Sequence, residues 1–164
     1  MPLILLRHPR PDAPAGLCYG SSDLAPAPDI EAEARRLARR LHGVDGIVSS
    51  PLRRCAALAE ALAVRLAVPL RLDPRWREID FGAWEGRPWD AIPRPELDAW
   101  AADLMHARQH GGESVAMLAA RVAAAAAACP PDRRTAVVTH AGPIRALLAA
   151  WERPVGYGEL ITQP

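Results

Sequence analysis

The chain has 164 residues, of which half are apolar and 24% are charged, and its formal net charge is +1. These values are typical of one globular domain, expected to span residues 1–164, and no basic block suggests a nucleic-acid or membrane-surface partner. All 20 basic residues are arginine, which excludes the P-loop lysine of nucleotide hydrolases, Schiff-base enzymes and Ser-x-x-Lys nucleophiles.

Short apolar runs alternate along the chain with stretches of helical periodicity. In the first half of the chain they predict a strand at 3–6, a Pro- and Gly-rich loop at 9–28, a helix from Asp29 to about 42, a strand at 46–49, a helix opening at Ser50 and Pro51, and a strand at 68–72. In the second half they predict an irregular region at 76–95, helices at 95–108 and 114–128, a strand at 135–139, a helix from Gly142 to Trp151 and an edge strand in the tail. This alternation predicts an α/β fold, a three-layer α/β/α sandwich with a mainly parallel sheet.

Three cysteines, Cys18, Cys55 and Cys129, have no metal-like spacing, and we expect reduced thiols in a cytoplasmic protein. No apolar segment is long enough for a bilayer, and the N-terminus lacks the pattern of a secretory signal. No cysteine has an arginine six residues later, as the loop of cysteine phosphatases requires.

Three predicted strands are followed by side chains that can bind phosphate. Arg7 and His8 follow the first strand, Arg53 and Arg54 lie just past the second, and His140 follows the fourth. Ligands of open parallel sheets bind outside the carboxyl ends of the strands, where helix N-termini also direct backbone N–H groups. We therefore predict an anion-binding pocket at this edge.

His8 is the predicted nucleophile of this pocket. A neutral imidazole can attack phosphorus with one ring nitrogen while a hydrogen bond holds the other, protonated nitrogen. Nearby guanidinium groups disfavour protonation of the ring. Arg7, Arg54 and His140 are predicted to hold the phosphoryl oxygens, His140 either protonated or as a neutral N–H donor.

The leaving alcohol needs a proton, and the segment at 76–86 supplies carboxylates. Glu78 is the predicted general acid, with Asp80 and Glu85 as alternatives. The same group would later accept a proton from the water that cleaves the phosphohistidine.

Taken in order, these segments resemble the histidine phosphatase superfamily, which includes the cofactor-dependent phosphoglycerate mutases. The similar segments are LLRHP, SSPLRRC, EIDFGAWEG, GGES at 111–114 and VVTHAG. The resemblance implies a phosphoglycerate mutase-like fold and a single histidine phosphatase domain. It also implies that Arg54 rather than Arg53 is the catalytic arginine, that Glu78 is the acid and that His140 is the second histidine.

Within the superfamily, GLCYGSSDL, EIDFGAWEG and GGES are similar to the α-ribazole phosphatases. This resemblance implies a histidine acid-type phosphatase that removes the 5′-phosphate of α-ribazole in cobalamin biosynthesis. A broad-specificity phosphatase for sugar and other small-molecule phosphates is the alternative. A non-catalytic phospho-ligand-binding protein is the alternative from a different class, although such a protein needs no leaving-group acid.

The chain departs from the family pattern in two places. Prolines (Pro9, Pro11 and Pro14) stand where Gly, Thr and Asn are usual, and Leu58 stands in place of a Thr in the following helix. Other residues must then supply substrate contacts. The candidates are Arg10, Tyr19 and Ser21, with Gly142 at the last helix and Trp84 as the side chain that stacks on a flat substrate.

We expect no metal and no cofactor. His106 and His110, four residues apart, could chelate a metal in principle, but the pattern offers no third ligand. The expected partner is a small-molecule phosphate ester, with no nucleic acid and no membrane involved.

Overall fold

A five-stranded sheet forms the centre of the part of the chain that the computed structural model describes, residues 3–163. Its strands are β1 (Ile4–Arg7), β2 (Gly46–Ser49), β3 (Leu70–Leu72), β4 (Thr135–Thr139) and β5 (Leu160–Thr162), in the spatial order β3-β2-β4-β1-β5. The first four strands run parallel, and β5 pairs antiparallel with β1 at one edge. The helices are α1 (Ile30–Ala38), α2 (Arg53–Leu66), α3 (Arg94–Ala102), α4 (Val115–Ala127) and α5 (Ala141–Leu148), and 3₁₀ turns occur at Pro74–Trp76, Gly82–Trp84 and Trp89–Ala91.

Apolar side chains on both faces of the sheet explain why helices cover it on both sides. Leu5 and Val137 pack in one cluster with residues of α4 and α5, while Leu6 and Val138 pack in the opposite cluster with residues of α1 and α2. Strands buried on both faces are typical of parallel sheets, and they appear in the sequence as continuous apolar runs. The predicted three-layer sandwich with a mainly parallel sheet is therefore confirmed.

The register of the central strands determines which chain segments meet at the edge of the sheet. Arg7 pairs with Thr139, and the backbone N–H of His8 donates to the Thr139 carbonyl at 3.0 Å. The N–H of Ser50 donates to the Val138 carbonyl, also at 3.0 Å. The residues that follow β1, β2 and β4 consequently lie side by side.

The start of α2 corrects a prediction. Ser50 is not the N-cap of this helix, which begins at Arg53 with Leu52 in the capping position. The Ser50 hydroxyl accepts from the Leu52 N–H at 3.3 Å and also hydrogen-bonds His140. Ser50 thus belongs to the edge of the sheet. The helix predicted to start at Asp29 does so, because the Asp29 side chain accepts from the Ala32 N–H and caps α1.

The predicted strands at 46–49 and 135–139 and the antiparallel edge strand in the tail are all present. Three helices end earlier than predicted: α1 ends at Ala38, α3 at Ala102 and α5 at Leu148. In α5 the end is set by Ala149, which has a φ of +51° in the left-handed region.

None of the helices in residues 3–163 is long and apolar enough to span a membrane. Cys18, Cys55 and Cys129 are all buried and free. Burial raises the pKa of the Cys18 thiol to about 12 and also raises the pKa of the Cys129 thiol. These thiols are therefore protonated at neutral pH, which makes them poor nucleophiles.

Candidate active site

A cavity of about 510 Å³ opens beside the carboxyl ends of β1 and β4. Its polar lining includes Arg7, His8, Tyr19, Glu78, Arg145 and Tyr157, and its aromatic lining includes Phe81, Trp89, Trp100 and Trp151. The cavity is thus a chamber with several aromatic and aliphatic side chains, a histidine and a carboxylate in its wall, at the edge where parallel sheets bind ligands.

His8 lies immediately after β1 and is 2% exposed. Its Nδ1 hydrogen-bonds the carbonyl of Pro9 at 2.7 Å, and because a carbonyl can only accept, Nδ1 carries the proton. Burial, reinforced by the charges of Arg54 and Arg7, lowers the pKa of His8 to about 3. The ring is therefore neutral at physiological pH, with the lone pair on Nε2.

His140 occupies the N-cap position of α5 and is fully buried next to His8, with 5.1 Å between the ring centroids. Its Nε2 hydrogen-bonds the Ser50 hydroxyl at 2.9 Å, and the Cys55 thiol lies 3.4 Å from the same nitrogen. Burial lowers the pKa of His140 well below its usual value, and the His8 and Arg54 side chains lower it further. Of the two predicted forms of His140, the arrangement favours the neutral N–H donor.

Two arginines flank this histidine pair. The Arg7 guanidinium carbon lies 3.9 Å from the centroid of the Tyr157 ring, and one terminal nitrogen of Arg7 donates to the Val155 carbonyl. Arg54 is fully buried, whereas Arg53 is exposed and pairs with Asp23. The two arginines, although adjacent in sequence, therefore lie in different environments. Arg54 and His140 lie beside His8 but do not themselves line the cavity.

Arg7 and Arg54 each keep an unused donor. Within residues 3–163, Nε of Arg7 and Nε of Arg54 are buried and have no hydrogen-bond partner. Buried donors are nearly always paired in folded proteins, and an anion would pair such guanidinium hydrogens. The two orphan donors therefore indicate an anion site beside His8.

Glu78 is the carboxylate that shares the cavity wall with His8. One of its oxygens accepts from the Gly142 N–H at 3.1 Å and the other from the Ile79 N–H at 2.9 Å. The alternatives lie elsewhere. Asp80 accepts from the Gly82 N–H and lines a neighbouring surface pocket, which Glu78 also borders, but not the cavity of His8. Glu85 is enclosed by backbone N–H groups of residues 20–22.

The predicted substrate contacts divide into two groups. Tyr19 and Gly142 lie in the cavity wall, and the Gly142 N–H is occupied by Glu78. Arg10 lines a smaller pocket of about 300 Å³ that shares Tyr19 and Tyr157 with the cavity.

Two predicted substrate residues are corrected. Trp84 is 1% exposed and its Nε1 donates to Glu96, so it is a core residue and cannot stack on a substrate. Ser21 lies outside the cavity wall, where its hydroxyl donates to Asp80. Both residues lie in the predicted segments, but neither is part of the cavity wall.

Sequence reasoning missed several residues that line the cavity. Trp89, Trp100 and Trp151 contribute aromatic surface, and Tyr157 covers Arg7 and hydrogen-bonds the Tyr19 hydroxyl at 2.7 Å. The Gly-Tyr-Gly turn before β5 was the available signal for Tyr157, because glycines allow a close approach of the backbone.

No group of three or more His, Cys, Asp or Glu side chains in residues 3–163 is arranged to hold a metal ion. His110 is buried and accepts from the Gly112 N–H at 2.9 Å, whereas His106 is exposed and faces Asp103. The two histidines therefore do not converge on one point, despite their spacing.

Comparison with known proteins identifies relatives of this chain. The family model described as histidine phosphatase superfamily (branch 1) matches residues 3–159. A probable phosphoglycerate mutase GpmB of Erwinia tasmaniensis is 31% identical over 130 residues, which is 74% of this chain and 60% of that protein. The chain thus spans about 60% of the length of such curated relatives.

Solved structures extend the similarity over nearly the full chain. A phosphoglycerate mutase from Thermus thermophilus has a TM-score of 0.77 and 32% identity, covering 99% of this chain and 92% of its own. A mycobacterial glucosyl-3-phosphoglycerate phosphatase in complex with VO3 has a TM-score of 0.76 and 32% identity, covering 97% of this chain and 88% of its own. Because the family model and these relatives agree in sequence and in fold, this chain belongs to the histidine phosphatase superfamily.

Proposed function

We propose that the protein is a phosphomonoesterase that works through a phosphohistidine at His8. The observation that carries this proposal is the state of the His8 ring, with Nδ1 hydrogen-bonded to the Pro9 carbonyl and the ring held neutral in the wall of the cavity. Nε2 then has a lone pair for attack on phosphorus. The names of the relatives, a probable mutase and a phosphatase, support chemistry on phosphate esters.

In the first step the Nε2 lone pair of His8 forms a bond to phosphorus and the ester P–O bond breaks. The leaving oxygen takes a proton from the acid form of Glu78. Arg7 and Arg54, with the neutral His140 as an N–H donor, hold the phosphoryl oxygens as the transition state forms.

In the second step a water molecule attacks the phosphohistidine. Its proton goes to the Glu78 carboxylate, the N–P bond breaks and the electron pair returns to Nε2 of His8. Inorganic phosphate leaves, and both residues regain their starting forms. The free enzyme then holds His8 neutral again, because its pKa of about 3 lies far below physiological pH.

The substrate we propose is α-ribazole 5′-phosphate. Phe81, Trp89, Trp100 and Trp151 supply flat apolar surface in the cavity, which suits a benzimidazole better than a second acidic group. Stacking of a base on an aromatic side chain contributes roughly 1–3 kcal/mol.

A second candidate is a broad-specificity phosphatase that also accepts phosphates of sugar acids. The observation in its favour is Arg145, a cation of the cavity wall outside the proposed catalytic set. Arg145 donates through Nε to the Arg153 carbonyl at 2.8 Å, so its terminal nitrogens remain to face a carboxylate.

Trapping the intermediate tests the chemistry. Incubation with a ³²P-labelled phosphomonoester followed by quenching in base is expected to leave label on the protein, stable in base and released by acid. His8→Ala is expected to lose both the label and turnover, while the exposed His106→Ala keeps both. Wild-type turnover by His8→Ala would refute the proposed nucleophile.

A substrate panel tests the specificity. We expect kcat/KM for α-ribazole 5′-phosphate to exceed the values for 2,3-bisphosphoglycerate, 3-phosphoglycerate and a phosphohistidine peptide. Equal values for the ribazole ester and simple sugar phosphates would refute the cobalamin role and favour the broad-specificity phosphatase.

A further inference from the structure

Three consecutive peptide groups, those of residues 20–22, surround the carboxylate of Glu85. The N–H groups of Gly20, Ser21 and Ser22 donate to it at 2.9, 3.0 and 3.3 Å, and the Ser22 hydroxyl donates as well. The N–H of Phe81 adds a further hydrogen bond at 2.9 Å. Successive backbone N–H groups of this kind form an anion-binding concavity, and here an internal carboxylate fills it.

Carbonyl groups of the same loop hold Arg54. Its two terminal nitrogens donate to the carbonyls of Ser22 and Gly20 at 2.5 and 2.6 Å. Gly20 and Ser22 therefore each donate an N–H to Glu85 and offer a carbonyl to Arg54. The Ser21 N–H and the Gly20 carbonyl belong to one peptide group, so its hydrogen bonds to Glu85 and from Arg54 are in series and polarise one another.

The loop has little freedom to shift. A Cβ atom on Gly20 would lie 1.8 Å from the carbonyl oxygen of Ile79 and 2.9 Å from the Glu85 carboxylate. The loop is thus pressed against the segment that follows Glu78, and a glycine is needed there for this close approach.

Glu85 is ionised in this environment. Burial raises the pKa of its carboxyl group, but hydrogen bonds from Ser22, Gly20, Phe81 and Ser21 outweigh that effect and the net pKa is lowered. Glu85 also lies outside the cavity wall. Glu85 is therefore poorly suited to be the proton donor, the role for which it is an alternative to Glu78 in the sequence.

We propose that Glu85 is a positioning residue for phosphate binding, because through residues 20–22 it fixes the Arg54 guanidinium next to His8. This inference rests on the proposed function, in which Arg54 holds a phosphoryl oxygen. Arg54 has only carbonyls of this loop as hydrogen-bond partners within residues 3–163. When Glu85 no longer holds the loop, Arg54 loses the groups that orient it.

The substitution Glu85→Gln tests the proposal, because the amide keeps the size of the side chain but presents an N–H₂ group to N–H donors. We expect the Kd for inorganic phosphate, measured by isothermal titration calorimetry, to rise about tenfold, which corresponds to about 1.4 kcal/mol. We also expect kcat/KM to fall by a similar factor for p-nitrophenyl phosphate and for an alkyl phosphate, since phosphate contacts are common to both.

A double-mutant cycle shows whether Glu85 acts through Arg54. In an Arg54→Met background, Glu85→Gln is expected to leave the Kd for phosphate unchanged. A further tenfold loss in that background would mean that Glu85 acts by another route and would overturn the proposal. Phosphate binding needs no turnover, so a failure of phosphohistidine chemistry at His8 would be recognised separately, by the trapping experiment.

Asp73→Asn is the matched control. Asp73 is a buried carboxylate that is paired with Arg71 and Arg75, and like Glu85 it lies outside the cavity wall. We expect this variant to lose stability without a change in the Kd for phosphate. If Glu85→Gln showed the same profile, its role would be merely structural and the proposal would be wrong.

A milder variant covers the case in which Glu85→Gln does not fold. Ser22→Ala removes the hydroxyl that donates to Glu85 and leaves the loop backbone intact. We expect about a two- to threefold rise in the Kd for phosphate, abolished in the Arg54→Met background. An unchanged Kd in Ser22→Ala would contradict the proposal.

Discussion

The carbonyl of Pro9 accepts the Nδ1 hydrogen of His8 at 2.7 Å. A proline lacks the backbone N–H but keeps the same carbonyl acceptor as the glycine that is usual at this position in the family. The substitution therefore preserves the contact that orients the His8 ring. The second departure, Leu58, is fully buried in the cluster of α1 and α2, so it serves the core.

The choice among three carboxylates leads to a prediction at the scale of the residue. Glu78→Gln removes the proton that an alkoxide-like leaving group needs, so turnover of an alkyl phosphate should fall by roughly 10²- to 10⁴-fold. Turnover of p-nitrophenyl phosphate, whose leaving group barely needs a proton, should fall far less. Steady-state kinetics on both substrates measure the difference.

Asp80→Asn is the control for this experiment, because Asp80 lies outside the cavity wall. We expect Asp80→Asn to lower turnover of the alkyl phosphate and of p-nitrophenyl phosphate only weakly and by the same factor. An equal loss for both substrates in Glu78→Gln would instead make Glu78 a residue that only positions the substrate.

At the scale of the element, the first turn of α5 lies against the candidate acid. A Cβ atom on Gly142 would lie 2.0 Å from Oε1 of Glu78 and 3.1 Å from its Cδ. A side chain at this position would therefore displace the Glu78 carboxylate from its place against the helix.

We therefore expect Gly142→Ala to change activity much more than stability. Alanine favours a helix interior by about 1 kcal/mol over glycine, so we expect little loss of stability from the backbone itself. Displacement of Glu78 should lower kcat by about 10- to 100-fold, since small misplacements of catalytic groups are costly. Gly46→Ala in β2, where the nearest atom would be 3.6 Å away, should keep wild-type kcat. Unchanged kcat in Gly142→Ala would contradict the assigned contact.

For the whole molecule, buried histidines make stability depend on pH. Burial lowers the pKa of His8, His110 and His140 below the usual 6.5, to about 3 for His8. Between those values the unfolded chain binds more protons than the folded chain. The contribution of these histidines is therefore present above pH 6.5 and is lost as pH falls, for His8 down to about pH 3.

We expect the free energy of unfolding to fall between pH 7 and pH 5, with His8 contributing up to about 1.4 kcal/mol per pH unit. Urea unfolding at these two pH values measures the effect. His8→Gln should reduce the pH dependence, and the exposed His106→Gln should not. A wild-type stability that is the same at both pH values would contradict the burial of neutral histidines.

The sequence alone determined the sheet and the residues at its edge. Runs such as those at 46–49 and 135–139 are apolar along most of their length, so the strands could be located without knowledge of their neighbours. Parallel strands bring their carboxyl ends together. The proximity of Arg7, His8 and His140 therefore followed from the order of the motifs.

Only the tertiary structure decided which side chains of the long loops face the cavity. Glu78, Asp80 and Glu85 lie within eight residues of one another in the sequence, yet Glu78 alone among them lines the cavity with His8. Glu85 is enclosed by residues about 65 positions away, and Tyr157 covers Arg7 from the far end of the chain. Such contacts leave no periodic pattern in the sequence, because they depend on where distant segments pack. For this reason the sequence assigns Trp84 and Ser21 to the substrate site and does not single out Tyr157.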